Sequence, residues 1–277
     1  MNILITGANG FVGKHISKHF CKKYNTTFLT RDKLDLKNSD QVDSFFLNKE
    51  FDVCIHTAIV GGRTNPLINK IDDSSVLYDN LLMTFNLLKN KQKINNFINL
   101  SSGAELDKRK KINGGDFNNS FPIDYYGMSK NLISRLFSFY NFTNLRLYGI
   151  FGEYEGNERF IKNNIKKYIN RDSIEIHQDK YWDFFYIEDL IKVIEFKLTN
   201  LYNSPNNIDL VYKEKHKLSD IAKKINKLSN HSVDIIKKSM CDGDDYIGDS
   251  KVIDSLNISL IGIDCGIKSM YNHLNEN

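Results

Sequence analysis

The stretch Ile3-Leu4-Ile5-Thr6-Gly7-Ala8-Asn9-Gly10-Phe11-Val12-Gly13 decides the fold. Residues 2 to 5 form an apolar run of strand length. A Gly-x-x-Gly-x-x-Gly loop follows at once, and Phe11, Val12, Ile16 and Phe20 then recur at helical spacing. Strand, glycine loop and helix in that order form a phosphate cradle. The glycines let the backbone turn tightly and come close to a ligand, and the helix start offers N–H groups and the positive end of its dipole. Gly7, Asn9, Gly10, Phe11, Val12 and Gly13 are therefore the expected hold on a dinucleotide pyrophosphate.

Outward from this stretch the same alternation continues. Strands are expected near 2–6, 26–30, 52–56, 95–100, 143–148 and 174–177. Helices are expected near 11–22, 39–48, 74–90, 124–140, 158–169, 187–199 and 217–228. That pattern predicts an α/β fold, a doubly wound parallel sheet of Rossmann type with both faces covered. The last hundred or so residues lose the regular alternation and predict a smaller C-terminal substrate-binding lobe. The expected division is a dinucleotide-binding domain over 1–150, with part of 178–200 returning to it, and a lobe made mainly of 151–277. A chain of 277 residues is long enough for both.

Composition narrows the function classes. The net charge of +4 is mild and the charged residues are dispersed, so nucleic acid is not an expected partner. Lys108-Arg109-Lys110-Lys111 is the one basic run and reads as a solvated loop. No apolar run is long enough to span a bilayer and no signal segment precedes the first strand, so a cytoplasmic protein without membrane partners is expected. Cys21, Cys54, Cys241 and Cys265 lie far apart without paired ligand spacing; they read as reduced thiols, and no metal is expected.

A second segment carries the chemistry. In Tyr126-Gly127-Met128-Ser129-Lys130 a phenol and an ammonium stand one helical turn apart on one face. A free tyrosine titrates near ~10, and neighbouring positive charge lowers that value toward the range where a general acid or base works well. Upstream, the strand ending at Leu100 delivers Ser101-Ser102-Gly103-Ala104. A hydroxyl there would bond a substrate carbonyl oxygen. Ser102 is the assigned residue, with Ser101 left open.

The second strand bears on cofactor type. It ends in Thr30-Arg31, a hydroxyl followed by a guanidinium, which suits a ribose 2′-phosphate by charge and fork geometry. NADP(H) is the expected cofactor. NAD is the alternative, because Asp32 follows at once and an acid at this strand end bonds a 2′-hydroxyl. The bland reading of Arg31 is a surface arginine with no ligand.

The glycine spacing together with Tyr-x-x-x-Lys resembles the short-chain dehydrogenase/reductase superfamily, in its extended NAD-dependent epimerase/dehydratase branch, over essentially the whole chain. The resemblance implies an adenine contact at Asp35-Leu36, small residues Thr57 and Ala58 under the nicotinamide ribose, a structural His56, and a ribose contact from Lys130. Val60-Gly61-Gly62 is similar to the tripeptide beside the sugar in GDP-fucose synthase-like 4-keto reductases; Arg63 and Gly103 join it as expected substrate contacts. The segment 146–152 resembles the branch's Arg-x-x-Asn-x-Tyr-Gly, but Gly149 stands at the Asn. Arg159, at a helix start, is the implied diphosphate partner, and Trp182 stands where a phosphate-binding Arg is usual. The branch's epimerising Cys falls on Ala104 or Gly103 and its His near Arg159.

These features predict an oxidoreductase: an NADPH-dependent C4 reductase of a nucleotide-diphosphate sugar. The substrate would be a GDP-linked 4-keto-6-deoxy-hexose or heptose, without C3/C5 inversion, used in surface polysaccharide biosynthesis. A nucleotide-sugar 4-epimerase with retained NAD is the alternative, and a noncatalytic dinucleotide-binding regulator is the alternative from another class. A homodimer is expected. The helix after Tyr126 carries Met128, Leu132, Ile133, Leu136, Phe137, Phe139 and Tyr140, and the helix near 74–90 is likewise rich in Leu and Met, more than one buried stripe apiece.

Overall fold

The structure is a computed structural model of the chain and describes residues 1–62, 74–106 and 120–276. In chain order the elements are β1 (Asn2–Thr6), α1 (Phe11–Phe20), β2 (Asn25–Leu29), α2 (Ser39–Phe46), β3 (Phe51–His56), α3 (Ser74–Lys89), β4 (Ile94–Ser102), α4 (Tyr125–Phe139) and β5 (Thr143–Leu147). They continue with β6 (Gly149–Phe151), α5 (Phe160–Ile169), β7 (Ile174–Ile176), β8 (Phe184–Tyr186), α6 (Ile187–Thr199), β9 (Asn207–Leu210), α7 (Leu218–Ile225), β10 (Ile235–Lys237), α8 (Lys251–Ser255) and α9 (Ile263–Asn275).

Two compact units result. Among the described residues the first comprises 1–106, 120–146 and 194–208, and the second 147–193 and 209–276. The first is organised by a six-stranded parallel sheet in the order β2-β1-β3-β4-β5-β9. In the pairs β1–β2, β1–β3 and β3–β4, Ile3 lies opposite Thr26 and Val53, and Val53 opposite Asn96. The chain winds one way from β1 to β2 and the other way from β1 to β3. Ligands in such sheets bind beyond the strands' C-terminal ends at that switch, and the glycine loop leaves β1 there.

The strands read as continuous apolar runs because both faces are covered. Ile3, Leu4 and Ile5 have no exposed surface, nor have Val53, Cys54 and Ile55. On one face Leu4, Cys54 and Phe97 meet Val42 and Phe46 of α2, Met83 and Leu87 of α3, and Ile133 and Phe137 of α4. Each such side chain contributes about 1.5–3 kcal/mol by leaving water. Helix starts are set by side chains: Asn38 accepts from the Gln41 N–H at 3.0 Å, and Asp124 accepts from the Gly127 N–H at 2.7 Å.

The sixth sheet position belongs to β9, which the sequence reading missed. The strand expected near 174–177 forms as β7 but pairs with β10 in a separate two-stranded sheet, and β6 pairs with β8 in another. Three-residue strands carry no usable periodicity, which is why β6, β8 and β10 were not legible. The second unit closes around Asp189, whose carboxylate accepts from the Tyr212 hydroxyl at 2.5 Å and from the N–H groups of Ile261 and Gly262 at 2.6 and 3.0 Å. No described helix is long and apolar enough to cross a membrane.

Candidate active site

The glycine loop is built as a cradle. Gly7 has φ +64°, and a Cβ there would lie 2.7 Å from both the Cα and the N of Ala58. Gly13 has ordinary helical geometry, yet a Cβ on it would lie 2.2 Å from the Gly7 carbonyl oxygen. The loop, the start of α1 and the end of β3 thus approach at backbone-to-backbone distance. The Gly10 N–H donates to the Gly7 carbonyl at 2.9 Å. Helix α1 opens with no side-chain cap and no acid in its first turn. Asn9 and Gly10 are exposed, and Phe11 and Val12 half-buried. These residues fit a bound pyrophosphate, which would take the place of the missing cap.

Beyond β2, Arg31, Asp32 and Lys33 are exposed while Thr30 is buried. The backbone N–H of Asp32 holds its exposed carboxyl below the ordinary range, so Asp32 is ionised at neutral pH. Two cations, Arg31 and Lys33, flank this one anion beyond the end of β2. The half-buried Asp35 accepts from the Lys37 N–H at 3.1 Å, and the buried Leu36 has its carbonyl held by the Asn86 amide at 2.8 Å.

The catalytic candidates gather where β4 ends and α4 begins. Ser102, 9% exposed, accepts from the Ala104 N–H at 3.1 Å. Ser101 is engaged elsewhere, its hydroxyl meeting the Glu105 carboxylate and, at 2.8 Å, the Ser134 hydroxyl. Gly103 is buried in the short 3-10 turn that follows Ser102. A Cβ on Gly127 would lie 2.4 Å from the Ala104 carbonyl, so the first turn of α4 sits directly on this turn. That close approach seats the start of α4, which carries Tyr126, on the turn that follows Ser102.

Lys130 is buried and donates to the Leu100 carbonyl at 2.6 Å. Burial pulls its pKa down to about 8, against the opposing pull of Glu105. Glu105 itself is fully buried and ion-paired with the buried Arg146, with the Ser134 hydroxyl donating at 2.5 Å. His56 is held neutral by burial and by the Lys130 charge, its pKa about 3. Its Nδ1 lies 2.9 Å from the Thr6 hydroxyl, which already accepts from the N–H groups of Thr57 and Ala58 at 3.2 and 3.3 Å. The Thr6 proton therefore goes to His56, and the pair ties the ends of β1 and β3 together beneath Thr57 and Ala58.

Val60-Gly61-Gly62 lies against Tyr126. Cβ atoms built on Gly61 and Gly62 would sit 3.6 Å from Tyr126 Cδ2 and 3.8 Å from its Oη, respectively. Arg63 and the basic run 108–111 lie outside the described residues. Two residues that the sequence reading passed over complete the arrangement: Asn80 of α3, bonded to Val60, and Ser129 of α4. Asn80 was legible only as a polar break in an apolar helix.

In the second unit, Arg159 donates to the Glu155 carboxylate at 2.9 Å and to the Ile150 carbonyl at 2.7 Å, at the uncapped start of α5. Burial raises the Glu155 pKa to about 7 despite that partner. Half-buried Trp182 packs against Tyr246 with the rings tilted and their centroids 4.6 Å apart, and Lys180 Nζ lies 4.9 Å from its ring. A Cβ on Gly149 would lie 2.8 Å from Trp182 Nε1 and 2.6 Å from the Asp183 carbonyl. The two departures noted in the sequence, Gly149 and Trp182, thus lie side by side: a side chain at 149 would meet both the Asp183 carbonyl and the indole. Among the described residues no group of three His, Cys, Asp or Glu could hold a metal.

Residues 3–211 match the NAD dependent epimerase/dehydratase family. The chain is 25% identical over 257 residues to the GDP-L-colitose synthase of Yersinia pseudotuberculosis, covering 82% of each. Its fold is similar to that of a GDP-mannoheptose C4 reductase from Campylobacter jejuni with NADP bound (TM-score 0.83, 18% identity, 99% of this chain and 98% of that one). It is also similar to a GDP-L-fucose synthetase from Naegleria fowleri bound to NADP (TM-score 0.83, 19% identity, 100% and 93%). At such identity these two likenesses are of fold. The match across three quarters of the chain, on a glycine cradle and a Tyr/Lys pair at the sheet's switch point, makes this protein a member of the NAD dependent epimerase/dehydratase family.

Proposed function

We propose that the protein is an NADPH-dependent C4 reductase of a nucleotide-linked 4-keto sugar, of the GDP-4-keto-6-deoxy-hexose or heptose type. The observation that carries this reading is the turn after Ser102. Among the described residues the first turn of α4, with Tyr126, packs on that turn, while Gly103, Ala104 and the fully buried, Arg146-paired Glu105 offer no free acid there to protonate a carbon. Carbonyl reduction needs one proton on oxygen; inversion at C3 or C5 needs further acids.

A nicotinamide dinucleotide held by the glycine loop would supply the hydride. Tyr126 gives its phenolic proton to the oxygen at C4, Ser102 donates a hydrogen bond to the same oxygen, and Lys130, an ammonium below about pH 8, stabilises the phenolate left on Tyr126. Gly61 and Gly62 let the sugar come close to backbone. Arg159 and Trp182 are the proposed nucleotide contacts, and Arg31 the contact to the 2′-phosphate. The relatives' names agree with a nucleotide-sugar substrate.

A 4-epimerase with retained NAD is the second reading, favoured by one observation: ionised Asp32 beside Thr30 suits a 2′-hydroxyl. The deciding experiment offers the purified protein 4-keto GDP-, dTDP-, CDP- and UDP-sugars while NADPH absorbance is followed. NADPH consumption with one nucleotide class supports the reductase. No consumption, together with NAD that copurifies with the protein, supports the epimerase. In deuterated water without NADPH, C3 and C5 of the substrate should stay unlabelled.

A further inference from the structure

Glu105 and Glu155 are both buried acids paired with an arginine, and they are not satisfied alike. Glu105 has both oxygens engaged, Oε1 by Arg146 and Oε2 by the hydroxyls of Ser101 and Ser134. Glu155, 3% exposed, has only one engaged. Its Oε2 accepts from Arg159 Nε at 2.9 Å, and Oε1 has no hydrogen-bond partner among the described residues. Lys162 does not fill the gap, because its Nζ donates to the backbone carbonyls of Glu153 and Glu155 at 2.7 and 2.8 Å. A carboxylate held out of water with half its acceptors unmet is destabilised as an ion, and taking up a proton relieves it.

Arg159 is the N-cap residue of α5, a helix that opens with no side-chain cap and no acid in its first turn, and its Nη2 also holds the Ile150 carbonyl at 2.7 Å. The charged groups that act on Glu155 are Arg159 and Lys162, and Lys162 in turn feels Glu158, Glu153 and Lys166. Burial outweighs both cations and leaves Glu155 titrating at about 7. A diphosphate on Arg159 would bring like charge to the same guanidinium and disfavour the ionised carboxylate further.

We infer that Glu155 is a positioning residue of the diphosphate site: it takes a proton from solvent as the substrate's diphosphate settles on Arg159, and so leaves the guanidinium's charge to the phosphates. This rests on the proposed diphosphate contact at Arg159.

The test is calorimetric titration of the full-length protein with GDP-mannose, dTDP-glucose, CDP-glucose and UDP-glucose, whose diphosphates have no second ionisation of their own. Comparing buffers of different ionisation heat gives the protons taken up on binding. The probe that binds should bring at least about half a proton at pH 7.5 and almost none at pH 5.5, and its affinity should fall about five- to tenfold from pH 6 to pH 8. Glu155→Gln keeps an acceptor for Arg159 and cannot ionise. It should abolish the uptake and bind the probe at pH 8 about five- to tenfold more tightly than the parent. Should that variant fail to fold, the parent's own pH profile of uptake decides alone. Uptake that is absent or flat between pH 5.5 and pH 8, or unchanged in a folded Glu155→Gln protein, overturns the inference and leaves the reductase reading standing. Binding of none of the four probes, or full affinity in Arg159→Ala, refutes the diphosphate contact first, and the inference falls with it.

Discussion

Gly13→Ala sets two physical effects of opposite sign against each other. Gly13 lies within α1, and in an open helix alanine is favoured over glycine by about 1 kcal/mol. The structure places the added methyl 2.2 Å from the Gly7 carbonyl oxygen and 2.9 Å from Ala8 Cα. That is roughly 1 Å short of an ordinary contact. The obstacle is backbone, so it cannot swing aside as a side chain would. Overpacking of this kind costs about 1–3 kcal/mol, and a backbone obstacle belongs at the upper end. The net expectation is a loss of about 2 kcal/mol, a fall in Tm of roughly 4–8 °C for a chain of this length. The displaced loop also loses at least one hydrogen bond to the cofactor's charged pyrophosphate, about 1.5–3 kcal/mol, or roughly ten- to hundredfold in NADPH Kd. Scanning calorimetry and a fluorescence titration with NADPH measure the two. Gly10→Ala, whose methyl would come no closer than 3.3 Å to the same oxygen, is the milder companion. A Gly13→Ala protein that gains stability and binds NADPH like the parent would refute the cradle.

The remaining predictions concern charge and assembly. Lys130 titrates at about 8 in the fold, below its ordinary 10.5. Turnover should therefore decline as pH rises through about 8, and a pH–kcat profile checks this. Across the window from about 8 to 10.5 the unfolded chain holds the proton that folded Lys130 has lost. Its linkage contribution to stability rises there while activity falls, and urea melts read that opposite trend. Arg31→Ala should weaken NADPH more than NADH, by roughly 1–3 kcal/mol, because only NADPH carries the 2′-phosphate; equal losses in parallel titrations would mean that Arg31 does not read it. Tyr78 and Phe85 on α3 and Phe139 on α4 are 64, 52 and 81% exposed, and the half-buried Leu82, Leu132 and Leu136 extend their stripes. We expect these faces to pair in a two-fold dimer, for which light scattering at micromolar concentration should give twice the chain mass.

What was legible in the sequence was local. Residues 2–20 announced strand, loop and helix within one window, and Tyr126 and Lys130 share a face because they are four apart. Met83, Leu87, Ile133 and Phe137 went into the core, as their periodicity within α3 and α4 allows. What was not legible depended on partners distant in the chain. Glu105 reads as an ordinary acid until Arg146, forty-one residues on, is placed against it. Asn80 reads as a polar break in an apolar helix until Val60 and Ser129 arrive. Ser101 and Ser102 are equivalent as letters, and only the Glu105 and Ser134 contacts tell their hydroxyls apart. Strand β9 was hidden because four residues give too short a run to read a period.

The central claim is net reduction at C4, and transfer of label from cofactor to sugar tests it most directly. The protein would be incubated in ordinary water with 4-deuterated NADPH and the 4-keto nucleotide sugar it consumes, and the product examined by NMR. The account predicts one deuterium at C4 of the sugar and none at C3 or C5. A sugar product without deuterium at C4, formed while the NADPH pool stays reduced, would contradict it.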